Sequence, residues 1–349
     1  MPLTMITGAP GWIGTRLIRA LLEGIPDVPT LSNPDAQRRL RVILMPGEDP
    51  SPLPTSDRLE LVRGDLARAE DSFDFCRRGE GGVIIHCAGI IHPRLFVRDL
   101  YTANVDGTLN LLRAAERCGI RRVVVVSSNS PMGHNPRRDH LFDEHSSFDP
   151  DMSYGRSKML MELAVRECQA RGKIQTVILR PMWFYGPDQP KRQTTFFRMI
   201  RAGRSPILGD GQNLRSMTYI DNLCQAILLS EASPVANGQT YWVADRRPYS
   251  INEISDTVER LMEQEFGLKV AHKRLRLPSA AASLAHLADV VIQGLGLYQQ
   301  EMHVLSQMNK TIACSIEKTQ RDLGYVPTIE LEEGMRRSLA WCIDRGILL

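Results

Sequence analysis

Charge of one sign is in short supply in this chain. Its 43 Lys and Arg face 40 Asp and Glu, a net charge of +3 over 349 residues. So small an excess argues against nucleic acid as a partner and against an anionic membrane. Paired cysteines are also lacking. The cysteines number seven, an odd count, and include no C-x-x-C pair. That pattern reads as reduced thiols and predicts a cytoplasmic protein. No apolar run reaches about 18 residues, the length a spanning helix needs. The nearest, residues 280–297, is broken by His286, Asp289 and Gln293 and reads as an amphipathic helix; membrane-surface contact is not expected from it. The first strand starts almost at the amino end, which leaves no room for a secretion signal. The histidines form no H-x-x-x-H or Cys/His ligand set, so no metal is expected. Internal repeats and low-complexity tracts are missing as well. What remains, 43% apolar and 24% charged residues, is the composition of a globular protein.

The organising stretch is the first fourteen residues. Leu3 to Thr7 is apolar and β-branched, and Gly8, Gly11 and Gly14 follow at G-x-x-G-x-x-G spacing. Ile13, Leu17, Ile18, Leu21 and Leu22 then recur at helical spacing. Strand, glycine turn and helix together form the context of a dinucleotide site. Gly8 suits a turn with positive φ. Gly11 leaves room for a pyrophosphate against the backbone, and Gly14 lets the helix pack on the strand. Unpaired N–H groups at the helix start face the anion.

Downstream, short apolar segments alternate with helical ones. Residues 41–45, 59–62, 83–86, 123–127 and 174–179 read as strands, and helices are predicted over about 100–117 and 154–169. The stretch 24–40, with its prolines, and residues 129–152 read as loops. This alternation predicts an α/β class fold, a doubly wound parallel sheet covered on both faces. Beyond about residue 187 helices prevail. The expected division is a dinucleotide-binding domain over 1–187, to which later segments return, and a mainly substrate-binding, mostly helical lobe over 188–349. Substrate should lie beyond the carboxyl ends of the strands, between the two.

Tyr154 and Lys158 stand four residues apart on one predicted helix face. A phenol with a pKa near 10 is a poor base at neutral pH, and a nearby ammonium lowers that pKa. Tyr154 would then move the proton of a secondary alcohol while a nicotinamide takes the hydride. Lys158 would also reach the nicotinamide ribose. Ser128, just after the fifth strand, suits binding of the reacting oxygen. Asn104, a poor helix former inside a helical pattern, suits bonding to backbone and to a water relay.

The order of motifs is glycine turn, Gly64-Asp65-Leu66, His86-Cys87-Ala88-Gly89, Asn104-Val-Asp-Gly-Thr108, Ser127-Ser128, Tyr154-x-x-x-Lys158 and Arg180-Pro181. That order resembles the extended short-chain dehydrogenase/reductase superfamily, whose fold is the Rossmann fold. The resemblance implies NAD or NADP as cofactor. It implies contacts from Gly8, Gly11, Trp12, Ile13 and Gly14 to the pyrophosphate, and from Asp65 and Leu66 to adenine. Ala88 and Gly89 would line the pyrophosphate, and Pro181 would lie near the nicotinamide amide. It also implies a homodimer formed through the helix of Tyr154 and the helix before strand five.

Within the superfamily, Ser128 is followed by Asn129-Ser130, where dehydratases carry Asp-Glu, and Ser130 replaces the glutamate of sugar-nucleotide decarboxylases. Trp183 stands where sugar-nucleotide epimerases place asparagine, and suggests an apolar substrate wall. Arg215 matches the arginine with which those epimerases grip a diphosphate. The tail, Leu277-Pro278 and then residues 315–327, resembles 3β-hydroxysteroid dehydrogenase-like reductases. Ser128, Asn129, Trp183 and Arg215 are therefore the expected substrate contacts. Three functions stay open: an oxidoreductase interconverting a secondary alcohol and a ketone, a sugar-nucleotide 4-epimerase with tightly held NAD, and a catalytically silent nucleotide-binding subunit. An acid at the end of strand two would select NAD, and an arginine NADP. Leu44-Met45-Pro46 offers neither, Glu48 and Asp49 come late, and Arg38, Arg39 and Arg41 come early; NAD is weakly favoured.

Overall fold

The computed structural model describes residues 3–349. Six strands alternate with helices: β1 (Thr4–Thr7), α1 (Trp12–Leu22), β2 (Leu40–Leu44), β3 (Leu59–Arg63), α2 (Ala69–Cys76), β4 (Val83–His86), α3 (Arg98–Tyr101), α4 (Gly107–Arg117), β5 (Arg122–Val126), α5 (Met152–Ala170) and β6 (Gln175–Pro181). A seventh strand, Thr240–Val243, returns from the second half of the chain and pairs with β6. The sheet runs Thr240–Val243, β6, β5, β4, β1, β2, β3, parallel throughout. The order reverses between β1 and β4, so a crevice opens at the carboxyl ends of those two strands. This is the Rossmann arrangement that the alternation predicts. β1, β4 and β5 are buried along their whole length, which is why they read as unbroken apolar runs.

Two expected elements differ in detail. The helix predicted over 100–117 is broken into α3, a π-helical turn at Thr102–Asp106, and α4. Asn104 sits in that turn, and widened turns of this kind gather at functional sites. The 24–40 stretch is packed rather than free: Ile25, Val28 and Leu31 are buried in the main core. α2 is a further helix, with Phe75 and Cys76 facing inward.

The rest of the chain supplies β7 (Trp183–Tyr185), α6 (Lys191–Arg201), α7 (Ile220–Ala232), α8 (Ile251–Gln264), α9 (Ser279–Gly294), α10 (Gln300–Gln307), α11 (Glu317–Leu323) and α12 (Leu331–Asp344). Asp245, fully buried, ties these parts together. Its carboxylate accepts from Tyr185 Oη at 2.7 Å and from the Tyr219 N–H at 3.0 Å. Burial pushes this carboxyl up to about 7. An unfolded aspartate titrates near 3.9. Between about pH 4 and 7 the native state therefore holds a proton that the unfolded chain has lost. The stabilising contribution is complete below about pH 4 and is lost as pH rises through 7. Asp245→Asn cannot ionise, so its stability relative to the parent should climb across that window. Urea melts of both proteins at several pH values check this, and parallel curves would count against it.

Candidate active site

The glycine turn is built as its spacing requires. Gly8 has φ +86, and a Cβ there would lie 2.5 Å from the Cys87 carbonyl carbon. A Cβ on Gly11 or Gly14 would lie 2.7 or 2.6 Å from Gly8 O. Any side chain at these positions collides with backbone, so the turn packs tightly on itself and on the end of β4 at the start of α1. Ile13 is buried in the core. Trp12 points elsewhere: its indole N–H donates to Pro187 O at 2.6 Å and its ring meets Phe184 at 5.0 Å. The residue thus clamps the turn to the segment after β7, and only its backbone remains for a phosphate.

A buried polar chain links this turn to Asn104. The Ala88 N–H donates to Thr7 Oγ1 at 3.1 Å, and Thr7 meets His86 Nδ1 at 2.8 Å. His86 Nε2 meets Thr108 Oγ1 at 2.9 Å, and Thr108 donates to Asn104 O at 2.8 Å. One arrangement satisfies every atom: Nε2 carries the proton and Nδ1 accepts from Thr7. Burial holds this histidine neutral, with its pKa lowered to about 3. The His-Cys-Ala-Gly motif marks the place, but only the fold reveals the role of its histidine as a brace.

Asn104 uses its side chain on protein groups. Its Oδ1 accepts from the Ile90 N–H at 2.9 Å, and its Nδ2 donates to Ile90 O and Ser157 Oγ, both at 3.0 Å. Ser157 donates to Tyr154 O at 2.8 Å. Asn104 thus fixes the first turn of α5, where Tyr154 lies. Gly89 closes on the same point: a Cβ there would lie 3.0 Å from Asn104 Oδ1 and 3.5 Å from Lys158 Nζ. Lys158 is buried and donates to Val126 O at 3.1 Å. Desolvation pulls its pKa down to about 8, against the pull of Glu162 and Cys87.

Ser127 and Ser128 face opposite ways, as adjacent residues leaving a strand do. Ser127 donates to Glu162 at 2.7 Å, inside a buried pair in which Arg180 reaches Glu162 at 2.6 Å. Ser128 faces the Tyr154 phenol and lowers its pKa, though burial raises it more. Gly155 permits this approach, since a Cβ there would lie 2.5 Å from Ser130 O. Asn129 opens a 3₁₀ turn, Ser130–Met132, beside it.

The cation that lowers the Tyr154 pKa is not Lys158, as expected, but the exposed Arg192, a residue that no motif marks. Arg192 lies in the first turn of α6, one turn before Phe196. Phe196 packs edge-on against the exposed Trp183 at 5.6 Å. Arg192 therefore stands one helical turn from that aromatic pair. The charges acting on it are those of Tyr154 and Tyr298, with no carboxylate among them. Tyr298, at the far end of the chain, meets His92 Nδ1 at 2.5 Å. Arg215 is also without a carboxylate among the described residues. Its guanidinium donates to Gln307 O, and burial pushes its pKa down to about 10.

Just after β3, Asp65 Oδ1 accepts from the Ala67 N–H at 2.9 Å, and Leu66 lies against Gly107. Pro181 ends β6, paired with Val243. Arg38 is paired with Glu231 at 2.8 Å and Arg41 with Glu60 at 2.8 Å. Both lie by the starts of β1 and β2, the end of the sheet away from the crevice. At the carboxyl end, Arg63 is the cation, donating to Met45 O at 3.2 Å and to Glu48 O at 2.5 Å.

The family model of the NAD-dependent epimerase/dehydratase family matches residues 4–244. The uncharacterized protein y4nL of Sinorhizobium fredii is 47% identical over 346 residues, 99% of this chain and 96% of its own length. The decarboxylating sterol-4-alpha-carboxylate 3-dehydrogenase of Saccharomyces cerevisiae is 24% identical over 98% of either chain. Among solved structures, the UDP-glucuronic acid 4-epimerase from Bacillus cereus, in complex with NAD, superimposes with TM-score 0.74 at 21% identity over 99% of both chains. The dTDP-glucose 4,6-dehydratase from Streptomyces venezuelae, with NAD bound, gives 0.74 at 23% identity over 98% of both. These two share the fold. With the matched segment spanning the glycine turn, Tyr154 and Lys158, the chain belongs to the NAD-dependent epimerase/dehydratase family and is an enzyme of the extended short-chain dehydrogenase/reductase type.

Proposed function

We propose that the enzyme interconverts a secondary alcohol and a ketone on a largely apolar, 3β-hydroxysteroid-like substrate, with NAD or NADP as redox partner. One observation carries this reading: Tyr154 lies half-buried beside Ser128, on the helix whose first turn Asn104 fixes, and faces the charge of Arg192, which stands one helical turn from the Phe196–Trp183 pair. The backbone turn at Gly8, Gly11 and Gly14 fits a pyrophosphate, and Lys158 beside Gly89 fits the nicotinamide ribose. When bound there, the dinucleotide supplies the hydride acceptor or donor. The remaining work belongs to the chain. Tyr154 Oη takes the proton of the alcohol in oxidation and returns it in reduction. Ser128 Oγ holds the reacting oxygen. Arg192 favours the phenolate, and its free guanidinium suits a substrate carboxylate.

Arg192→Leu removes that favourable charge. In the oxidation direction the phenolate is the active form, so the acid limb of the kcat/KM profile should move to higher pH. At neutral pH the rate should fall roughly 3- to 10-fold, the effect of one nearby charge across a site of intermediate dielectric. A pH series on both proteins measures the limb, and an unmoved limb would remove Arg192 from this role.

A sugar-nucleotide 4-epimerase is the second reading, favoured by Arg215, whose unpaired charge suits a diphosphate. Such an enzyme keeps its NAD and shows no net redox turnover. Purified protein that retains NAD through gel filtration and releases none on turnover would favour it.

A further inference from the structure

α9 is amphipathic the wrong way round for a helix facing water. Its inward face is Ala282, Ala285, Asp289 and Gln293. Asp289 meets His303 Nδ1 at 2.8 Å and accepts from Gln293 Nε2 at 2.9 Å. Gln293 Oε1 accepts in turn from the Ser153 N–H at 3.1 Å. These bonds fasten the polar face to α10 and to the start of α5, and so decide which face looks out. The outer face is apolar: Leu284, Leu287, Val291 and Leu295 are 69%, 62%, 57% and 73% exposed. Their spacing makes one stripe along the helix. The stripe continues into the loop before α3, where Leu297 bridges Phe96 and the Tyr298 N–H donates to Leu95 O at 2.8 Å. Leu95 and Phe96 are exposed too. A contiguous apolar surface of this kind marks an interaction site.

We propose that this face docks the enzyme on the surface of an anionic lipid bilayer. Charge selects the occupant. The exposed Arg94 and Arg98 flank Leu95 and Phe96, with Arg98 lying over the Phe96 ring at 5.0 Å, and the exposed Arg276 precedes α9. Arg98 lies 3.8 Å from the Asp99 carboxylate, whereas Arg94 and Arg276 have no acidic partner among the described residues. The one acid on α9, Asp289, is turned inward. An apolar stripe rimmed by arginine is the pattern of an interfacial helix. A second copy packed on the same face would bring two arginine rims together, which is unfavourable. Among the described residues no helix is long and apolar enough to cross a membrane, so the contact is superficial. The small net charge of the whole chain hides this local excess. The face also adjoins the cleft, because Tyr298 and Ser153, which anchor it, neighbour His92 and Tyr154. A bilayer-dissolved alcohol would thus meet the site without crossing water. The docking inference itself rests on the surface and holds whichever alcohol is turned over.

Flotation of the full chain with phosphatidylcholine vesicles, with and without phosphatidylglycerol, tests it. The protein should float with the anionic vesicles and progressively less as salt rises. The double variant Leu287→Asp, Val291→Asp should lose on the order of 100-fold in partitioning, about tenfold for each apolar side chain withheld from lipid. Arg94→Ser with Arg98→Ser should lose roughly tenfold on anionic vesicles only. All four positions are on the surface, so thermal midpoints should hold. Failure of the parent to float with anionic vesicles would overturn the proposal. So would flotation unchanged in the apolar double variant, or a dimer in sedimentation velocity that this variant dissociates, which would assign the face to a second copy.

Discussion

Tyr154→Phe should lower turnover roughly 10²- to 10⁴-fold, the range for loss of a positioned acid–base group, while dinucleotide affinity and thermal midpoint stay at the parent's values. The reason is local. In the proposed reading the phenol oxygen, which Ser128 faces, exchanges the proton with the alcohol. The ring itself is half-buried and remains in the variant. Its pKa is raised by burial and lowered by Ser128 and Arg192, so the hydroxyl is tuned by groups that gain nothing when it is removed. In the proposed reading dinucleotide binding rests on the turn at Gly8, Gly11 and Gly14 and on Lys158, which the substitution leaves untouched. Stopped-flow turnover beside a fluorescence titration of the dinucleotide separates the two quantities. Equal turnover in the variant would remove Tyr154 from the chemistry.

Glu162→Gln is expected to produce the largest loss of stability, about 3–5 kcal/mol. Glu162 is fully buried, takes Arg180 at 2.6 and 3.0 Å through its two oxygens, and accepts from Ser127. Arg180 is equally buried, between the rings of Phe148 and Trp242. An amide leaves that guanidinium charged and without an anion in a site closed to water. Replacing both partners with apolar residues of similar volume, Glu162→Leu with Arg180→Met, should cost less than the single change, because no charge is then stranded. Ser127 precedes Ser128, so the single variant should also lower turnover by moving the serine that faces Tyr154. Urea unfolding of the two variants gives the comparison. A single variant as stable as the parent, or less damaging than the double, would contradict this account of the pair.

The glycine turn, the strands and the Tyr154–Lys158 pair were legible because each is local. Positive φ, close backbone approach and helical spacing leave marks within a few residues. The order of the sheet follows from parallel strands and right-handed crossovers. Other parts of the site come from distant segments and leave no local mark. Arg192 is an ordinary basic residue at the start of a helix until the fold sets it beside Tyr154. Tyr298 and His92 meet across more than half the chain. The π-helical turn at Asn104 was hidden because its composition is that of a continuous helix. The 280–297 stretch reads as amphipathic, but a sequence pattern does not say which face is buried. Asp289 and Gln293 decide that by bonding inward to α10 and α5.

Net redox exchange is the property that separates the alcohol oxidoreductase from an epimerase built on the same residues. The direct measurement is the amount of reduced nicotinamide formed per enzyme molecule, with NAD or NADP in excess, on 3β-hydroxysteroids and on UDP-sugars. With an apolar secondary alcohol, reduced cofactor should accumulate in solution to many times the enzyme concentration, and Tyr154→Phe should slow the accumulation roughly 10²- to 10⁴-fold. Cofactor that stays on the protein without net reduction, while a UDP-sugar inverts at C4, would contradict it.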